Sequence, residues 1–346
     1  MMATEQQVRA TEAQVFVDWT SRDSDQKATG KLGGRTVTVT GLTGTLGAVD
    51  INGEHTEFGT TLYTPQLPTS DSVELRSRKD DTEFKIDFGA KVQDAILHLG
   101  SLASTMTFEA GTTITRISGD ADFKVPQNNT VTGKFKEGPP TDSNGTIHIS
   151  KSDPFSSITF KLRLNYDGTE EGVYLQFGRT VEFVDWTSRD NDRKATGKLG
   201  GRTVTVTGLT GTLGAVDING EHTEFGTTLY TPQLPTSDSV ELRSRKDDTE
   251  FKIDFGAKVQ DAILHLGSLA STMTFEAGTT ITRISGDADF KVPQNNTVTG
   301  KFKEGPPTDS NGTIHISKSE PFRSITFKLK LNYDGTEEGV YLQFGR

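Results

Sequence analysis

Glu83-Phe84-Lys85-Ile86-Asp87-Phe88 sets Phe84, Ile86 and Phe88 on one side of an extended chain and Glu83, Lys85 and Asp87 on the other, because successive strand residues face opposite ways. Such a stretch is a half-buried β-strand. The same period of two runs through Arg35 to Thr40 and Val73 to Ser77. It returns in Asp94 to Leu99, Ser104 to Phe108, Thr113 to Ile117, Thr130 to Lys136, Thr146 to Ser150, Ser157 to Leu164 and Val173 to Phe177. Turn residues separate these runs: Asn52-Gly53 between Asp50-Ile51 and Glu54-His55 is a two-residue hairpin signal, and Gly138-Pro139-Pro140, Ser143-Asn144-Gly145 and Asp167-Gly168 punctuate the rest. No stretch carries a helical period, and Gly89 to Asp94 has room for one short turn. Strands of this number and alternation predict an antiparallel β-sandwich of jelly-roll type, with a closed barrel as the alternative.

The pattern is written twice. Lys27 to Ser152 returns without a change as Lys194 to Ser319, and from Phe16 to Arg179 against Phe183 to Arg346 only five positions differ: Ser24/Asn191, Gln26/Arg193, Asp153/Glu320, Ser156/Arg323 and Arg163/Lys330. Cores accept many volume-conserving exchanges, so identity this high exceeds what folding demands and points to recent duplication, gene homogenisation or engineering. The expected organisation is an unmatched polar leader over residues 1–13, read as mobile, then all-β repeats over 14–179 and 180–346. Gly178 to Val181 is all that separates the last strand of one repeat from the first of the next. So short a junction predicts that the two bodies are held at a fixed angle, as in stalks and fibres.

The 346 residues carry a formal charge of -10 and no cluster of Lys or Arg, so a nucleic-acid backbone meets repulsion. No apolar run reaches the roughly 20 residues of a membrane helix, and Met1-Met2-Ala3-Thr4-Glu5-Gln6 lacks the layout of a secretory signal. Insertion into a membrane is not expected. With no cysteine at all, disulfides, thiolate nucleophiles and thiolate metal sites are excluded together.

Phe16 to Ser21, Ala95 to Leu102 and Gly172 to Gly178 resemble the repeated β-sandwich domains of bacterial secreted and cell-surface proteins in the layout of their packing positions. The resemblance implies an extracellular or surface location and a part in attachment, adhesion or glycan contact. It transfers no functional residue.

Three kinds of side chain merit weighing as sites. Tyr174 and Gln176 alternate with Val173, Leu175 and Phe177, and so are expected to face outward, where a ring covers a sugar's apolar face and an amide takes its hydroxyls. Tyr63, in the proline-containing loop Thr60 to Ser72, joins them, as do Tyr230, Tyr341 and Gln343 in the second repeat; Tyr166 is a further ring, whereas Trp19 shares a face with Val17 and is expected in the core. Asp23 and Asp25, with Asp190 and Asp192, are the acids chosen for a structural calcium, which takes six to eight oxygens. No other cofactor is expected. Carboxylates for hydrolysis or lyase chemistry are available on paper in Glu74, Glu83 and Asp87, but they alternate with Arg76, Arg78 and Lys85, the signature of cross-strand ion pairs. His55, His98 and His148 lack zinc spacing, and Gly41 to Gly47 lacks the ending of a phosphate loop.

The expected function is therefore a non-catalytic tandem module of an extracellular or surface assembly, serving as spacer, adhesin segment or fibre subunit. A carbohydrate-binding module, with surface glycan as partner, is the alternative, and a polysaccharide hydrolase or lyase on the same fold is third. Self-association is expected to draw on Val8 to Gln14 as a donated strand.

Overall fold

A computed structural model of the chain describes residues 12–137, 142–234, 236–304 and 309–346. The first eleven leader residues, and with them most of the segment expected to be donated, lie outside the described residues. Two compact units form, one of Gln14–Thr180 and one of Val181–Arg346 with which the described leader residues 12–13 also group. Each is built from antiparallel strands, so the all-β reading holds for both. The junction residues Gly178 to Val181 fall inside one strand, Glu170–Glu182.

In the first unit the strands are β1 (Glu12–Phe16), β2 (Asp18–Ser24), β3 (Lys27–Leu32), β4 (Arg35–Gly41), β5 (Leu46–His55), β6 (Ser70–Arg78), β7 (Thr82–Leu102), β8 (Ser104–Phe108), β9 (Thr113–Gly119), β10 (Lys124–Gln127), β11 (Thr130–Thr132), β12 (Ser143–Leu164) and β13 (Glu170–Glu182). Two of them, β7 and β12, are long enough to serve both layers. The first part of β7 pairs with β4 and with the second part of β12, as in Ile86 opposite Val39 and Ile158. Its second part pairs with β13 and with the first part of β12, as in Leu97 opposite Phe177 and Ile147. One layer therefore runs β2-β3-β4-β7-β12-β8-β11-β10 and the other β5-β6-β13-β7-β12-β9.

The crossing point has a visible cause. Gly89 has φ +70°, and a Cβ there would stand 2.1 Å from the Thr36 carbonyl oxygen, a place only glycine fills without strain. Opposite it the register of β12 slips on both sides of Phe155, a bulge that bends the strand. Gly89 to Asp94 is thus a bend in a continuous strand and not the expected helical turn. Among the described residues of this unit the only helical turn is the three-residue 3-10 turn Glu57–Gly59.

Between the layers lie the side chains that the alternation pointed inward: Phe84, Ile86, Phe88, Ile158, Phe160 and Leu162 from one, and Val73, Leu75, Leu97, Leu99, Val173 and Phe177 from the other, all at 1% exposure or less. Trp19 joins them, edge-on to Phe177 at 5.5 Å. The outer face of the second layer is covered as well. Residues 56–69 fold across it and lay Phe58 and Tyr63 against His98, at ring separations of 5.6 and 5.4 Å. Thr64 N–H to Thr146 Oγ1 and Ser118 Oγ to the Leu62 carbonyl pin that loop down.

The pair Asn52-Gly53 does not close a hairpin. Asp50 pairs with Ser72 and His55 with Ser70, so residues 51–54 bulge from the single strand β5. The long partner β6 supplies the pairing that a local turn signal cannot anticipate. The second unit repeats these elements, from Asp185–Asn191 through Glu337–Gly345. No helix among the described residues is long and apolar enough to cross a membrane.

Candidate functional site

The bulge at Ile51 to Gly53, the entry to β2 at Phe16 to Asp18, and the end of the covering loop at Leu67 to Asp71 enclose a recess of about 420 Å³ with Gln176 at its edge. Asp71 holds these parts together. One carboxylate oxygen accepts the Trp19 N–H at 2.8 Å and the other the Gly53 N–H at 2.6 Å, the latter made available by the positive φ of Gly53, +68°. Asp71 is 6% exposed, and burial pushes its carboxyl up to about 6 against the pull of those two N–H groups. A hydrogen bond with the Asp18 carboxyl pushes the same way, since two carboxylates in contact favour sharing a proton.

Apolar surface stands beside these acids. Phe16 is half-buried, stacked on His98 at 4.8 Å and 22°. Ile51 is 44% exposed. His98 underneath is neutral, held down to about 3 by burial, with Nδ1 and the Thr146 hydroxyl at 2.8 Å. The recess thus sets a ring and an aliphatic side chain against acceptors whose positions the backbone fixes. The second unit repeats the clamp: Asp238 accepts from Trp186 N–H at 2.8 Å and from Gly220 N–H at 2.7 Å. There Phe183 and Leu234 are buried.

A second recess, about 530 Å³, lies among Arg22, Asp25, Gly47, Glu74, Arg76 and Glu170. Its charges satisfy one another: Arg22 with Asp25 at 2.9 Å, Arg76 with Glu74 at 3.1 Å, and Glu170 with Arg78 at 2.7 Å. Glu74 also accepts the Ala48 N–H at 2.8 Å. We read it as a cross-strand ion-pair network.

The residues expected to bind a ligand divide sharply. Tyr63 and Tyr230 are 2% and 1% exposed, their hydroxyls donating to Asn144 and Asn311 at 3.0 Å; buried under their own loop, they offer no face to a sugar. Gln176 and Gln343, expected outward, are 1% exposed. The Gln176 amide donates to the Val17 carbonyl at 2.8 Å and accepts the Phe177 N–H at 3.0 Å, and Gln343 does the same with Val184 and Phe344. Both glutamines do face away from the core, but the first strand of each repeat lies on top of them. Tyr174 and Tyr341 are half-buried, tilted against His55 and His222 at 5.1 Å, and burial followed by the neighbouring Glu74 raises the Tyr174 hydroxyl. Neither tyrosine belongs to the open recess. Tyr166 stacks on Phe135 at 4.0 Å and donates to Glu171.

The acids chosen for calcium take separate partners. Asp23 accepts from Ser21 at 2.5 Å and Thr29 at 2.6 Å and faces Lys27 at 3.4 Å, while Asp25 pairs with Arg22. In the second repeat Asp190 accepts from Ser188 and Thr196, which with Lys194 lower it to about 2, and Asp192 pairs with Arg189. Among the described residues no group of three or more His, Cys, Asp or Glu is placed to hold a metal ion. The carboxylates considered for hydrolysis are divided too: Glu74 lies on the outer face of the second layer, Glu83 and Asp87 on that of the first.

Asp71 itself escaped the sequence reading, although it carries a signal. In Asp71-Ser-Val73-Glu-Leu75 the acid stands in phase with two core residues, which marks a carboxyl turned toward the interior.

No protein-family model matches the chain. No curated protein matches it either. Among solved structures it is similar to an F-lectin (fucolectin) from striped bass (Morone saxatilis) serum, at 12% identity over 88% of this chain and 97% of that one, with a TM-score of 0.16. It is also similar to the CBM32-1 and CBM32-2 domains of ZmpB from Clostridium perfringens, at 11% identity, 88% and 92% coverage and TM-score 0.18. Allantoicase from Saccharomyces cerevisiae stands at 13% identity, 79% and 81% coverage and TM-score 0.18.

Proposed function

We propose that the chain is a non-catalytic glycan-binding module, with the recess between Phe16, Ile51 and Asp71 as its sugar site. The observation that carries this reading is the pairing of a half-buried ring and an exposed aliphatic side chain with acceptors fixed by backbone hydrogen bonds. A sugar presents the complementary surface, an apolar C–H face rimmed by hydroxyl donors. The volume of about 420 Å³ falls in the range of small-ligand sites. Asp18 and Asn52 supply the remaining polar contacts at the rim.

The way the acids are engaged supports a reading of binding without turnover. Glycoside hydrolysis needs two carboxyl groups about 5 Å apart or more, flanking the bond. Asp18 and Asp71 instead touch, and both oxygens of Asp71 already serve the backbone. This reading places the chain where polysaccharides are exposed, at a cell surface or outside the cell. A role as spacer or fibre segment is the second reading, favoured by the verbatim repetition.

The deciding experiment is a glycan array probed with the full chain, followed by calorimetric titration of any hit against Asp18→Asn and Asn52→Ala. Binding lost in both variants, with unchanged melting temperature, supports the assignment. An array without signal overturns it.

A further inference from the structure

The two repeats differ at a position just ahead of their matched span: Val15 stands where the second repeat has Glu182. In the second repeat Glu182 and Arg346 face each other across paired backbone, Arg346 N–H donating to the Glu182 carbonyl at 3.0 Å. The guanidinium reaches the glutamate Oε2 from Nε at 3.2 Å and from Nη2 at 2.8 Å. The pair lies over Gly200, where a Cβ would stand 2.2 Å from Arg346 Nη2.

In the first repeat β1 pairs with β13 in the same way, and Val15 takes the place opposite Arg179. Val15 is 3% exposed and Arg179 7%. Nε and Nη2 of Arg179 have no hydrogen-bond partner. Burial lowers Arg179 to about 10. Arg35 lies near enough that, after its own burial, the Arg179 charge helps to lower it to about 9. Leaving guanidinium N–H groups buried and unmet is costly, and an anion that accepts from both removes the cost through charge-assisted bonds. Valine is shorter than glutamate by the carboxylate-bearing end, so the exchange removes the acceptor and its volume together.

We propose that Arg179 binds a small oxyanion from solution, phosphate or sulfate, in the place that the Glu182 carboxylate occupies against Arg346 in the second repeat. The planar fork of Nε and Nη2 matches two oxygens of such an ion. The site shares no residue with the sugar recess, and neither assignment depends on the other.

The test is a phosphorus-31 NMR titration of the full chain with inorganic phosphate, beside thermal melting in phosphate and in chloride at equal ionic strength. One phosphate should bind per chain. At tenfold excess over the dissociation constant it should raise the melting temperature of the first repeat by about 3–5 °C. Val15→Glu should abolish that response and raise the melting temperature in chloride, and Glu182→Val should add a second phosphate per chain. No response beyond chloride in the unmodified chain, or an undiminished response in Val15→Glu, overturns the proposal. Should Val15→Glu fail to fold, Arg179→Gln decides the matter in the same way: loss of the response supports it, retention overturns it.

Discussion

Asp71 and Trp19, 52 residues apart in sequence, are joined by a 2.8 Å hydrogen bond from the Trp19 backbone N–H to the Asp71 carboxylate. The other oxygen of the same group holds Gly53. One buried side chain thereby fastens the start of β2, the β5 bulge and the start of β6, and the recess exists because these three are fixed to one another.

Asp71→Ala leaves two backbone donors without an acceptor and is expected to destabilise the first unit by about 2–4 kcal/mol. Scanning calorimetry should show one of two transitions moved down, with Asp238→Ala moving the other. An unshifted thermogram would show that the clamp contributes nothing.

The raised carboxyl gives stability a definite pH dependence. Folding lifts Asp71 from the ordinary 3.8 to about 6, so the folded state holds the proton more tightly than the unfolded chain. Its contribution is full below the unfolded value and is lost as pH rises through about 6. Denaturant titrations from pH 4 to pH 7 should show this loss in the unmodified chain and its absence in Asp71→Asn. Asp190, lowered to about 2, acts oppositely: its contribution is present above 3.8 and is lost as pH falls toward 2.

For a bound glycan, Phe16→Ala should weaken affinity about tenfold or more, equivalent to ~1.4 kcal/mol. Tyr63→Phe should leave affinity unchanged while costing about 1 kcal/mol of stability through the lost bond to Asn144. Titration calorimetry and chemical denaturation separate the two. The reverse pattern would move the site to Tyr63.

Millimolar Ca²⁺ and a chelator should both leave the melting curve in place, because Asp23 and Asp25 are already engaged by Ser21, Thr29, Lys27 and Arg22. A rise in melting temperature with Ca²⁺ that disappears in Asp23→Asn would instead support calcium binding at Asp23 and Asp25.

Gly53→Ala forces a side chain into a left-handed backbone conformation and should cost about 1–2 kcal/mol. The recess would be disturbed at the same time, so glycan affinity should fall along with the melting temperature. An unaltered affinity would separate the bulge from binding.

What was legible in the sequence is the phase of each strand, and what was not is the material lying over it. Alternation assigned Phe84, Ile86, Phe88 and Leu97 to the interior correctly, because one face of a strand sees a core whatever its neighbours are. It assigned Tyr174 and Gln176 to the outer face, also correctly. It could not tell that the first strand and residues 56–69 cover much of that face, which buries Gln176 and Tyr63. The covering depends on contacts such as Thr64 with Thr146, 82 residues apart, and such contacts leave no local period. Asn52-Gly53 shows the same limit, its local chemistry favouring a turn that the long pairing partner β6 converts into a bulge. Asp71 was the readable exception, an acid in step with Val73 and Leu75.

Because β7 and β12 each belong to both layers, the sandwich has no seam along which its sheets can part. Peeling one sheet from the other would require tearing the hydrogen-bonded ladder that runs the length of both strands. Amides at Ile86 and Leu97, on opposite sides of the bend, should therefore exchange with deuterium at matching slow rates, and a protease should release no single sheet from the folded unit.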